Sequence, residues 1–265
     1  MNFDFSDEQN LLREQARRFL SENAKGKARY ILESNASFDK VLWHGMADLG
    51  WMGAVVPEQF GGTGLTHEDL CIIAEEIGRS IAPTPFSSSV YLATEALLLA
   101  GSDEQRENFL PRITSGDVIG CFAYAEGIRK PGPDSISTVY ADGKLTGEKH
   151  PIADGDVANF AIVLARTPAR EPVLTITFLD EVPSEILETI DPSRSHSKLH
   201  FENIPACVIG KVGDGWNLTE RLLDRAAILL SFEQLGGAQK CLEMATDYAK
   251  ERYAFGRPIG SFQAI

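Results

Sequence analysis

WNLTERLLDRAAILLSFEQLGGAQKCLEMATDYAKERYAF, from Trp216 to Phe255, keeps a helical apolar spacing for nearly forty residues. At about 1.5 Å per residue this predicts a helix of roughly 55 Å. So long a helix cannot be packed from one side by a small domain; it needs antiparallel partner helices or another subunit. Leu222, Ala226, Leu229 and Leu230 fall on one stripe of it, and that stripe is expected to be exposed and prone to association. The sequence stops at Ile265 before a partner helix is supplied, so it reads as a C-terminally shortened chain.

Upstream of the helix the pattern changes character twice. From Asp117 to about Pro205 the signals are those of strands: VIGCFAYAE, then TVYADGKLTGEKHPI, ANFAIVLART and PVLTITFLDE. Asp142-Gly143 between two short runs is a hairpin turn signal. From Ser6 to about Ser115 the spacing is helical again. Ser6 is a candidate N-cap, and Leu11, Leu12, Ala16, Phe19 and Leu20 follow at helical intervals. Further helices are expected over 38–49, 67–81, 88–99 and 102–114, with VPEQFGGTG (56–64) as a turn between them. The fold class is α+β: an N-terminal helical domain (1–116), a middle β-barrel-like or β-sandwich domain (117–212), and the incomplete start of a C-terminal helical bundle (213–265). No GxGxxG follows a strand and no Walker lysine motif is present, so a bound nucleotide would be held some other way.

The formal net charge is −13 and the pI about 4.9. An acidic surface of that size disfavours nucleic acid and anionic membranes as partners. No apolar run is long enough to span a bilayer, and the acidic, amphipathic N-terminus is unlike a targeting peptide, so a cytoplasmic location is expected. Cys71, Cys121, Cys207 and Cys241 are scattered without a CxxC pair or a His cluster, which points to buried, reduced thiols and no metal site.

Four stretches, in order, carry a resemblance over the whole chain. They are DLGWMGAVVPEQFGGTGL (48–65), IAEEIGRSIAPTP (73–85), LTGEKHPIADGDVANFAIVLART (145–167) and YAKERYAFGRPIGSFQAI (248–265). Together they resemble the acyl-CoA dehydrogenases. That resemblance implies FAD as cofactor, an acyl-CoA thioester as substrate, oxidation of a CH–CH bond, and an electron-transfer flavoprotein or similar acceptor. It places Cys121–Glu126 and His150–Gly155 around the flavin ring, with Phe122, Tyr124, Ala125, Ile152 and Ala153 against the cofactor. It also implies that Arg252, Phe255 and Gln263 reach the FAD of a neighbouring subunit; on its own residues, Arg252 reads as a helix C-terminal cation. His150 could bond the ring or the acyl carbonyl, although a structural histidine is the commoner outcome.

The sequence departs from the family pattern at three places. Ala125-Glu126-Gly127 stands for Thr-Glu-Pro, and the loop that follows is IRKPGPDS, with Arg129 and Lys130 in place of the usual glycine and serine. Pro151-Ile152-Ala153 replaces an aromatic–Ile–hydroxyl run. The glutamate that removes the α-proton in the family sits either ten residues before the Gly236 position, where this chain has Ala226, or beyond Ile265. Asp224 lies about 200° away around the helix, and Glu233 roughly 10 Å along it, so Glu233 reads as a packing or hydrogen-bonding residue. No catalytic residue is assigned. These departures resemble the degenerate subunits of heteromeric members of the family, some of which act on steroid side-chain or dicarboxylic CoA esters. The expected role is therefore to complete a partner subunit's site; a flavin-free scaffold of the same fold is the alternative.

Overall fold

The computed structural model describes residues 4–34 and 36–265. The chain opens with α1 (Asp7–Asn23), α2 (Lys27–Glu33), α3 (Lys40–Asp48) and α4 (His67–Ser80). Ser6 caps α1 as expected: its hydroxyl accepts from the Gln9 amide while the Gln9 side chain returns to the Ser6 N–H. The helix expected over 88–99 is two joined pieces, a π-helical segment (Ser87–Thr94) running into α5 (Glu95–Ala100). α6 (Asp103–Thr114) follows, capped by Ser102.

The middle of the chain forms β1 (Gly120–Ala123), β2 (Val139–Ala141), β3 (Lys144–Ala153), β4 (Phe160–Arg166), β5 (Pro172–Phe178), β6 (Ser184–Ile186), β7 (His196–Pro205) and β8 (Cys207–Ile209). They make one eight-stranded mixed sheet in the order β6-β7-β3-β2-β4-β5-β8, with β1 parallel to β4 off this path. The expected middle β domain is thus a mixed sheet, and among the described residues its strand path does not close into a barrel. Asp142 (φ 51°) and Gly143 (φ 75°) turn β2 into β3, the positive pair that a two-residue hairpin needs.

β4 shows how the sheet joins both halves of the core. Its residues are apolar on both faces, and period-2 alternation sends Phe160, Ile162 and Leu164 toward α6 while Ala161, Val163 and Ala165 meet Leu145, Ile152 and Leu199. The helices enclose a further core around Leu20, Trp43, Met46 and Ile73.

α7 (Gly215–Glu251) is a single helix of 37 residues. Its start lies on β5, where a Cβ on Gly215 would come within 2.4 Å of the Val173 backbone. Further along it crosses α4 so closely that a Cβ on Gly78 would lie 1.9 Å from the Glu233 carbonyl, and one on Gly236 1.9 Å from that of Glu75. Only glycine permits that approach. The stripe expected to be exposed is therefore mostly covered: Leu222, Ala226 and Leu229 are buried against α4, the π segment and α6, and only Leu230 is open. Helical spacing located the stripe but could not show that the chain's own N-terminal helices cover it. The thiol expectation also holds in part: Cys71 and Cys121 are buried, whereas Cys207 and Cys241 are exposed. Among the described residues no helix is long and apolar enough to cross a membrane.

Candidate functional site

The residues expected around the cofactor fall into two groups. The first is on the sheet, where the end of β1 meets β3. Phe122 is buried and stacks on half-buried Tyr124 with ring centroids 5.2 Å apart and planes 13° apart. Ala125 is buried; its carbonyl accepts from the His150 amide at 3.0 Å, and the Gly127 amide donates to the His150 carbonyl at 2.7 Å. The backbone of His150 thus joins β3 to the segment after β1. Gly127 needs its positive φ (92°), and a Cβ there would stand 3.4 Å from the His150 ring. Ile152 is buried and Ala153 half-buried, in the stretch of β3 where the register with β7 shifts.

Glu126 anchors this edge. It receives the Lys149 ammonium at 2.7 Å, the amides of Ser137 and Thr138 at 2.7 and 2.9 Å, and the Thr138 hydroxyl at 2.8 Å. Burial opposes ionisation of Glu126, yet Lys149 and these donors outweigh it and hold the carboxyl down to about 2. Lys149 is fully buried; burial draws its ammonium down to about 8 even with Glu126 beside it. The pair ties the IRKPGPDS loop to the sheet, so this acid is structural.

Past Ala153 the turn is stitched to the helices. Asp154 is buried at φ 58° and accepts from Ser88 Oγ at 2.5 Å. Burial pushes the Asp154 carboxyl up, partly opposed by Ser88 and Arg194. Asp156 accepts from the hydroxyls of Ser37 (2.6 Å) and Ser195 (2.5 Å). Arg194 donates to Ser87 Oγ at 2.7 Å and to Glu233 Oε2 on α7 at 2.9 Å. Among the described residues, the buried Tyr91 OH and Glu233 Oε1 meet no partner in good hydrogen-bond geometry, and burial together with the nearby Glu233 carboxylate drives the phenol well above its ordinary range. Sequence reasoning missed Arg194 and the paired serines: they are one polar network only because residues far apart in sequence meet. Glu233 is the hydrogen-bonding residue that its position suggested, and its partner is Arg194.

The second group sits at the other end of α7. Arg252 ends the helix, and β9 (Tyr253–Ala254) and β10 (Arg257–Pro258) form a small hairpin through Phe255 (φ 54°) and Gly256 (φ 80°). The hairpin folds back on α7, where a Cβ on Gly260 would meet the Ala249 carbonyl at 3.0 Å. Phe255 is 96% exposed, and Arg252 and Gln263 are exposed. Among the described residues no carboxylate pairs with Arg252. Glu233, tied to the turn, and Arg252, at the hairpin, are 19 positions apart on one helix, roughly 28 Å along its axis. One chain does not bring its two groups together. At the position of the family's base, Ala226 presents a buried methyl, and Asp224 is exposed to solvent.

Residues 6–117 match the family described as "Acyl-CoA dehydrogenase, N-terminal domain", and residues 213–265 match "Acyl-CoA dehydrogenase, C-terminal domain". The chain is 30% identical over 262 residues to the acyl-CoA dehydrogenase IpdE2 of Mycobacterium tuberculosis, spanning 98% of this chain and 69% of that relative. A solved structure described as the Tcur3481-Tcur3483 steroid ACAD G363A variant superposes with a TM-score of 0.85 at 30% identity, over 97% of this chain and 71% of that one. An acyl-CoA dehydrogenase from Bacillus anthracis complexed with FAD superposes with a TM-score of 0.87 at 25% identity, over 98% of this chain and 47% of that one.

Proposed function

Because this chain belongs to the acyl-CoA dehydrogenase family, whose members are FAD-dependent oxidoreductases acting on CH–CH groups, we propose that it serves as a partner subunit that completes the FAD site of another dehydrogenase-like subunit. The observation that carries this reading is the separation within one chain: Glu233, tied to the sheet-borne turn, and Arg252, at the hairpin, stand roughly 28 Å apart along α7.

The residues fit a flavin. Gly127 without a Cβ leaves the space beside the His150 ring open, and the methyl groups of Ala125 and Ala153 occupy little of that edge. Phe122, Tyr124, Ala125, Ile152 and Ala153 would face the ring of a flavin on this chain's own sheet, with backbone groups replacing the hydroxyls the family uses. Arg252, Phe255 and Gln263 would meet the neighbour's cofactor, Arg252 as a planar fork for its pyrophosphate. Dehydrogenation removes an α-proton and a β-hydride, and the bound cofactor supplies the hydride acceptor. The α-proton needs a carboxylate within hydrogen-bond reach. Ala226 gives none, Glu233 is committed to Arg194, and Glu126 to Lys149. The base therefore comes from outside these residues.

The reading extends to an acyl-CoA thioester as substrate, an electron-transfer flavoprotein or similar acceptor, and a cytoplasmic location. The steroid-type relative favours a bulky acyl group. Co-purification with a dehydrogenase-like partner tests the reading. Arg252→Ala is expected to reduce flavin bound by the pair at least tenfold while leaving the melt of the isolated chain unchanged. Thioester oxidation by the isolated chain with an artificial electron acceptor would overturn it. The hydroxyls and aromatic ring that Ala125, Pro151 and Ala153 do not supply favour a second reading, a flavin-free scaffold; flavin absorbance in the isolated chain would sink that one.

A further inference from the structure

A broad cavity lies away from the residues placed against the cofactor. It is a groove of about 760 Å³ between α6 and the β5–β8 edge of the sheet. β5 and β1 flank β4 on opposite sides, and none of the groove's lining residues belongs to the turn around His150. Its floor is aromatic: Phe178 stacks on Phe109 at 5.3 Å and 25°, and Phe109 leans on Phe160 at 4.8 Å. Phe178 is nevertheless half exposed, with its open side in the groove. Ile176 and Ala206 continue the apolar wall.

Local pairing explains why the groove stays open. β8 covers β5 only from Leu174 to Ile176, so Thr177 and Phe178 run on beyond its reach. Gln105 spans the gap at the other end by donating to the Val208 carbonyl at 2.8 Å, which holds α6 off the sheet edge. Both charged residues of the lining come from α6: Glu104 in its first turn and Arg112 in its last, eight positions or roughly 12 Å apart. Among the described residues neither has an ionic partner. In a chain of net charge −13, Arg112 is the feature that would draw an anion here, and Glu104 repels a second anion at the far end.

We propose that this groove is a binding site for a small amphiphile with one carboxylate and an apolar body, the carboxylate on Arg112 and the body along Phe109, Phe178 and Ile176. Its volume lies in the range of small-molecule sites, and an apolar lining with few polar groups is their usual composition. Its lining contains none of the residues placed against the flavin.

Isothermal titration of the whole chain with dodecanoate, dodecanedioate and dodecyltrimethylammonium tests it. Dodecanoate is expected to bind with one-to-one stoichiometry and at least tenfold more tightly than either comparator. Arg112→Gln is expected to weaken dodecanoate at least tenfold. Phe178→Ser, which removes a half-exposed ring, is expected to do the same, with thermal melts and circular dichroism confirming that both variants fold. Equal binding of the cationic amphiphile, no measurable dodecanoate binding, or unchanged affinity in both variants would overturn the proposal. A drop in Phe178→Ser alone would also overturn it, because the carboxylate would then have no role.

Discussion

At the residue scale, the Glu126–Lys149 pair decides whether the loop after β1 stays on the sheet. Lys149 has no exposed surface and, among the described residues, ion-pairs with Glu126 alone, so Glu126→Gln leaves a buried ammonium without a counter-charge and is expected to cost about 3 kcal/mol. The pH dependence has a definite sign. Glu126 is held below its ordinary 4.5, near 2, in the folded chain. Its contribution is fully present above the unfolded value and is lost as pH falls from 4.5 toward 2. Urea midpoints measured across that window are expected to fall more steeply for the wild type than for Glu126→Gln; identical slopes would show that the carboxyl titrates normally. Lys149 acts oppositely: its folded value is lowered to about 8, so the burden of burying its charge eases as pH rises above that point.

At the element scale, α4 and α7 are held together by two glycines. Gly78→Ala places a methyl 1.9 Å from a backbone carbonyl that has no room to move, and is expected to destabilise by about 3 kcal/mol or more. Gly237→Ala, whose Cβ would meet the Gly78 carbonyl at an ordinary 3.6 Å, is the matched control and is expected to be nearly neutral in thermal melts. How much the sequence reveals also differs by element. The Ser6 cap and the Asp142-Gly143 turn are legible because their chemistry is complete within four residues. The long helix is legible from its period. Which side of it is covered is not, because Leu222 and Leu229 find their partners on elements more than a hundred residues earlier. The same distance hides Arg194, whose bond to Ser87 spans 107 positions. The resemblance carried the placement of Phe122, Ala125, Ile152 and Arg252, and their contact with a cofactor belongs to the proposed function.

At the scale of the whole molecule, the second half of α7 is the least supported part. Leu235, Leu242 and Met244 on it, and Ile228 just before it, are between 53% and 68% exposed. Exposed apolar side chains in this number favour association. Sedimentation is expected to show concentration-dependent self-association that Leu242→Lys with Met244→Lys reduces; a monomer at every concentration would show that these side chains lie flat without cost.

The distance between the turn and the hairpin has a genetic consequence. In the proposed assembly, a copy with a defective hairpin keeps the rest of its surface, so it still occupies its place beside the partner and spoils a site it does not own. Overexpression of the Arg252→Ala chain in cells that retain the normal one is therefore expected to be dominant, lowering the partner's flavin content in proportion to the mutant dose. Deleting the chain outright would simply leave the partner unaccompanied. Inheritance would thus separate a chain that lends a few residues from one that carries a whole reaction.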